Sequence, residues 1–413
     1  PEIGGNLHIG KSRNDQVATA IRMKLREDLI DLISSVTGLQ EKLIRLAKEH
    51  TATVIPGYTH LQPAQPVTLA HYLLSCVDAL ERDLHRLEEN YKRVNLCPMG
   101  AGALATTSFP INRERVAGLL GFSDVLENSI DAVGSRDSIL ETLANLTILA
   151  VDVSRLTEDL IIWSSLEFGM IELPDSFSST SSIMPQKKNP DVLEVIRAKM
   201  SHVLGNFVTS AAIMKSLPSA YNLDFQEVTP RLWESIETVT SSLGMLSKLA
   251  LHLKVDEGIF KKSFLRFSTT TELVSILVRK YKVPFRTAHK IVGALVRHLI
   301  ENRQELTDLT PQLLQVIAKN SSGLSIAVEK EDISTVVDPM MFVQVHSVRG
   351  GPSPTEVGRM LKVRKQWTVL SKHRLSKVRS ELSEAEKRLD SAVGACLVSS
   401  TGAKFKSSDA KVG

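Results

Sequence analysis

"DQVATAIRMKLREDLIDLISSVTGLQEKLIRLAKEH", residues 15–50, contains no proline, and its apolar residues Val17, Ile21, Leu25, Leu29, Leu32, Ile33, Val36, Leu43 and Leu46 recur mostly at steps of three and four. That spacing lays them along one face of a single long helix, weakened locally at Gly38. The pattern returns over 67–95, between Pro66 and Pro98, and again over 137–168, 191–216 and 231–254. The apolar stripes are wide, as they are in helices that touch more than one neighbour. At ~1.5 Å per residue such helices run roughly 38 to 54 Å, so they form an elongated long-helix bundle and the chain reads as mostly α. Period-two alternation is scarce, and the candidate strand is "MMFVQVHSV" at 340–348.

Outward from the bundle, the organisation changes near residue 256. Helical runs shorten and joints such as "RGGPSPTE" appear, which predicts a smaller C-terminal helical domain over 256–395 beside a bundle domain over 1–255. A proline-free run rich in Lys and Arg at 356–394 is assigned to that second domain as a solvated face or a packed arm. Residues 396–413 are small and polar and read as a disordered tail. The chain opens on Pro1 in the polar "PEIGGNLHIG", from which a missing N-terminal segment is expected.

Composition narrows the function. The 413 residues are 43% hydrophobic and 23% charged, an ordinary globular balance. Fifty Lys and Arg against 46 Asp and Glu leave +4, too weak an excess to argue for nucleic acid or a membrane surface but compatible with an anionic small molecule. Cys76, Cys97 and Cys396 are odd in number and lack metal-ligand spacing, so reduced thiols and a cytoplasmic location are expected. No apolar run reaches the ~18 residues of a membrane span.

Chemistry should then sit in the strings between helices. In "HIGKSRNDQ" (8–16), Asn14 or Asp15 can cap the following helix, which leaves Ser12 and Arg13, a hydroxyl and a guanidinium at a helix N-terminus, as an anion site. In "PGYTHLQPAQP" (56–66), the prolines predict a rigid irregular segment that holds His60 among Thr59, Gln62 and Gln65. In "SSIMPQKKNP" (181–190), Asn189 and Pro190 fit a helix start, while Ser181, Ser182, Lys187 and Lys188 have no such explanation. A serine there can act as a base if lysines and loop amides stabilise its alkoxide.

The core "SS-x-M-P-x-K-x-N" at Ser181–Asn189 resembles the signature of the fumarase and aspartase superfamily. With "SRNDQVAT" (12–19), "PGYTHLQPAQP" (56–66), "MPQKKNPD" (184–191) and "LPSAYNLDFQE" (217–227), the chain resembles the argininosuccinate lyase family from residue 1 to about 350. The resemblance implies cleavage of argininosuccinate to arginine and fumarate by anti elimination through an aci-carboxylate, with no metal or organic cofactor. It implies Ser181 and His60 as the acid/base pair in either order, Glu194 as the carboxylate orienting the histidine, and Lys187 and Asn189 as holders of the reacting carboxylate. Ser12, Arg13, Asn14, Thr59, Tyr221 and Gln226 would anchor substrate, and the family's sites are shared between subunits of a homotetramer. Lys188 is read as surface charge. Thr180 stands where the family has glycine, Lys11 where it has arginine, and Thr229 where it has lysine; the family's N-terminal domain is absent from the chain. A sister lyase for adenylosuccinate, aspartate or fumarate and a crystallin-like structural protein are the alternative readings.

Overall fold

The computed structural model describes residues 6–258 and 267–406. Five long helices stand where the periodicity placed them: α1 (Arg13–Glu49), α2 (Leu69–Val94), α5 (Asp137–Ser164), α6 (Asp191–Met214) and α7 (Phe225–Leu249), with the short helices α3 (Arg113–Leu119) and α4 (Ser129–Gly134) between α2 and α5. Helix α7 starts earlier than expected and takes Pro230 inside it. The proline withholds one N–H from the ladder, and Val228 and Leu232, both fully buried, hold the turn against the core.

The helices pack into one core through residues such as Leu25, Leu29, Leu73, Leu84, Leu143, Leu193 and Val239. Polar contacts fix their directions. Arg22 Nη1 donates to the Arg93 carbonyl at 2.9 Å, and Thr142 Oγ1 donates to Asn90 Oδ1 at 2.7 Å. The start of α1, the end of α2 and the start of α5 therefore share one end of the bundle. At the opposite end Tyr72 OH donates to Asp159 Oδ2 at 2.7 Å, and Arg197 pairs with Glu158, joining the start of α2, the end of α5 and the start of α6.

A smaller unit follows, made of α8 (Thr270–Arg279), α9 (Phe285–Glu301), α10 (Pro311–Ser322), α11 (Lys330–Val337) and α12 (Pro339–Val345), with its own core around Leu273, Ile291, Leu295, Leu314 and Val336. The expected strand at 340–348 is corrected: Pro339 opens α12, Asp338 Oδ1 accepts from the Met340 N–H at 2.8 Å, and Phe342 and Val343 are buried.

The basic run lies in α13 (Pro354–Lys406), which leaves the small unit and packs on α1 and α2, with Val357, Met360 and Leu375 in the bundle core. Arg364 pairs with Asp78, Arg374 with Glu88 and Arg379 with Asp31, so the lysine- and arginine-rich face answers acidic positions of the bundle. The helix continues through 396–406, where a disordered tail was expected; 407–413 lie outside the described residues.

Candidate active site

The N-terminus of α1 is built around two side chains. Ser12, not Asn14 or Asp15, is the cap: its Oγ accepts from the Asn14 N–H at 3.3 Å while Asp15 Oδ1 accepts from the Ser12 N–H at 2.9 Å. The buried Asp15 then uses Oδ2 to accept from the Gly100 and Gly102 N–H groups at 3.1 and 2.9 Å. Both glycines have positive φ, so the backbone of the 98–106 loop can fold onto the carboxylate. Asn14 Nδ2 donates to the Ala103 carbonyl at 3.2 Å, and Arg13 stays exposed.

Tyr221, on the α6–α7 connection, and Gln226, in the first turn of α7, arrive at the same end. Ala101, Ala132, Val133 and Ala220 form one small apolar cluster, which ties the glycine loop, α4 and that connection together. The Tyr221 ring meets Phe225 edge-on at 6.0 Å, and Gln226 Nε2 donates to Tyr221 OH at 3.5 Å. Thr229, where the resemblance implies a lysine, turns its hydroxyl onto the Phe225 carbonyl at 3.1 Å.

His60 sits at the other end. The expected irregular segment is a two-stranded antiparallel hairpin, β1 (Val54–Thr59) with β2 (Gln62–Thr68), broken by a bulge between Pro56 and Tyr58 that lets the prolines in. His60 and Leu61 make its two-residue tip with φ of +55° and +57°. Turns with both central residues left-handed normally carry Asn or Gly, so His-Leu here is a strained choice, and Thr59, His60 and Leu61 are all exposed.

The 181–189 loop lies at this end too. Short strands β3 (Ser179–Thr180) and β4 (Lys188–Asn189) pair at its base. Ser181 Oγ accepts from the backbone N–H of Ile183 at 3.3 Å and of Met184 at 3.1 Å. Asn189 lies in β4, its Nδ2 donating to Ser179 Oγ at 3.4 Å, instead of capping α6. Lys188 is no idle surface charge: it donates to the Leu173 carbonyl at 2.8 Å and pairs with Asp175 at 2.7 Å and Glu172 at 3.0 Å, which fastens the loop base. Lys187, Asn189 and Glu194 line one open cleft of about 770 Å³ with Glu167, Lys254 and Asp256.

The eleven expected site residues thus fall into two groups. Ser12, Arg13, Asn14, Tyr221 and Gln226 gather at the start of α1; Thr59, His60, Ser181, Lys187, Asn189 and Glu194 lie beyond its far end. The 37 residues of α1 span ~55 Å at ~1.5 Å each. One small substrate cannot touch both groups of one chain. Among the described residues no hydrogen bond or ion pair joins His60 to Ser181 or Glu194 either, and no cluster of His, Cys, Asp and Glu fit to hold a metal ion is found. Sequence reading missed Asp15 as the pin of the glycine loop, because capping already explained it, and missed Lys188 because its partners are in a separate segment.

Residues 1–205 match the family described as lyase, and residues 267–344 the one described as argininosuccinate lyase C-terminal. An argininosuccinate lyase of Methanococcus maripaludis is 43% identical over 389 residues, which cover 94% of this chain and 79% of that protein. One from Methanocaldococcus jannaschii is 46% identical over 363 residues, 88% of this chain and 74% of that protein. The solved structure of EDDS lyase in complex with formate superposes with a TM-score of 0.88 at 32% identity, covering 94% of this chain and 78% of the other. With both lyase descriptions met in order along one polypeptide and the long-helix bundle shared, the chain belongs to the argininosuccinate lyase family of the fumarase/aspartase superfamily.

Proposed function

We propose that the chain cleaves argininosuccinate to arginine and fumarate by acid–base elimination, in the cytoplasm, as a step of arginine biosynthesis. The observation that carries the reading is the Ser181 hydroxyl held by two loop amides at 3.3 and 3.1 Å. N–H groups aimed at an oxygen stabilise its ionised form more than its neutral form, which is what a serine needs to take a proton from carbon. His60 is its partner, and one of the two removes the proton beside the carboxylate while the other protonates the departing guanidino nitrogen. Negative charge then grows on the carboxylate as the aci form develops, and Lys187 and Asn189 face it from the cleft that Glu194 shares. Ser12, Arg13, Asn14, Thr59, Tyr221 and Gln226 anchor the rest of the anionic substrate.

The separation of these groups along α1 supports a homotetramer in which neighbouring copies complete each site. Among the described residues Cys76 and Cys97 are reduced thiols, and no helix is long and apolar enough to cross a membrane; the thiols support a reducing compartment.

Fumarate release from purified protein, followed by ultraviolet absorbance, tests the reading. Argininosuccinate should yield fumarate and adenylosuccinate should not, and Ser181→Ala should lower the rate by about 10²–10⁴-fold. A folded protein silent on argininosuccinate would point to a sister lyase or a crystallin-like structural role.

A further inference from the structure

We propose that Arg136 is a positioning residue, which holds the Tyr221–Gln226 segment in the shape that receives substrate. The inference rests on the reading of Tyr221 and Gln226 as substrate anchors. Arg136 immediately precedes α5, and its side chain is only 4% exposed. Its Nη1 donates to the carbonyls of Val133 at 3.2 Å and Ser135 at 2.7 Å, while Nε and Nη2 are buried without a hydrogen-bond partner. The guanidinium lies over the Phe225 ring at 4.6 Å, and Phe225 is the residue on which Tyr221 rests. Burial, with the nearby charge of Arg22, pulls the group down to about 10, still fully protonated at neutral pH.

A cation kept in the interior with no ion pair among the described residues is costly, and two orphan donors add to that cost. Such a cost at a site that could hold a methionine or leucine argues for a directional task. The task is visible in the backbone. Ala220 has a φ of +64°, which a side chain tolerates only when its surroundings impose it. Those surroundings are Gly134, two residues before Arg136: a Cβ there would stand 2.8 Å from Ala220 Cα and 2.9 Å from its nitrogen. Gly134 lets the connection approach, and Arg136, anchored by Nη1 to the turn that follows α4, clamps its far side through Phe225. Tyr221 lies between these two contacts in sequence, so its hydroxyl and Gln226 are set by both.

Steady-state kinetics of the full chain on argininosuccinate test this, with Arg136→Gln, Arg136→Lys, Gly134→Ala and Tyr221→Phe compared with the parent. A positioning role predicts that Arg136→Gln and Gly134→Ala each raise KM about tenfold with kcat changed less than about threefold, that Arg136→Lys is intermediate, and that Tyr221→Phe raises KM as well. If Tyr221→Phe raises KM while folded Gly134→Ala and Arg136 variants leave it unchanged, with only the melting temperature lowered, Arg136 is structural and the proposal falls alone. If Tyr221→Phe leaves KM unchanged, Tyr221 is not an anchor, and the proposal falls with that reading. Gly134→Ala carries the test should loss of the buried cation prevent folding.

Discussion

Arg364 grips Asp78 with both arms of its guanidinium, Nε on Oδ1 at 2.9 Å and Nη2 on Oδ2 at 2.8 Å, and so pins α13 to α2. The Arg364 side chain is 11% exposed, so this pair is shielded far more than an ordinary surface pair, and the ring of Trp367 lies 4.9 Å from the same guanidinium. Asp78→Ala should cost about 1–2 kcal/mol of stability in urea unfolding, with a coupling of similar size in the cycle with Arg364→Ala. Turnover should be untouched, since neither residue lies near the site residues. A coupling near zero would mean that α13 is held by its apolar face alone.

The division of the site residues between the two ends of α1 makes a mixing experiment decisive. Arg13→Met removes a group at one end and Ser181→Ala one at the other, so each should be inactive alone. Unfolded together and refolded, they should recover a fraction of parental activity, because some sites then draw both halves from intact copies. No recovery from a well-formed mixed oligomer would place all the groups of a site in one chain.

Asp83 carries a pH signature. Burial chiefly, then the charge of Asp152, raises its carboxyl from 3.8 to about 7, against the pull of Arg86. The folded state therefore binds the proton more tightly than the unfolded state does. Between pH 4 and 7 the native protein holds more protons, so stability from this group is present below pH 4 and is lost as pH rises through 7. Asp83→Asn should remove that loss: its melting temperature relative to the parent should rise between pH 5 and pH 8. A difference that stays constant with pH would show that the carboxyl ionises normally.

The hairpin tip gives a stability test. Leu61 is 67% exposed at a φ of +57°, so it contributes little packing and carries backbone strain. Leu61→Asn, a residue at ease in that conformation, should stabilise the protein by about 0.5–1 kcal/mol. Unchanged or lowered stability would show that Leu61 is held by contacts worth more than its strain.

Much of this architecture was legible in residue order. Proline-free runs with three- and four-residue apolar steps marked all five long helices, because a helix packed on several neighbours must repeat that spacing. The three irregular strings stood out as candidate site regions for the opposite reason: Ser12–Arg13, His60 and Ser181–Lys187 had no role in building a core. What stayed hidden depended on partners distant in sequence. The 54–68 stretch pairs as strands despite three prolines because bulged edge positions need no N–H from them, and 356–394 joined the bundle because its arginines meet Asp31, Asp78 and Glu88. Arg136 gave no signal at all, since an arginine before a helix is unremarkable until its burial is seen.

The return of α13 to the bundle also sets an order of assembly. Arg364 and Asp78 are 286 positions apart, with the whole α8–α12 unit spliced between them. During synthesis α1 and α2 emerge early, but the apolar face that Val357, Met360 and Leu375 will cover stays open until α8–α12 have all been made. Contacts so distant close late and slowly. Until α13 arrives the nascent chain carries a sticky, unfinished seam, the kind of surface that draws a partly made chain into aggregation.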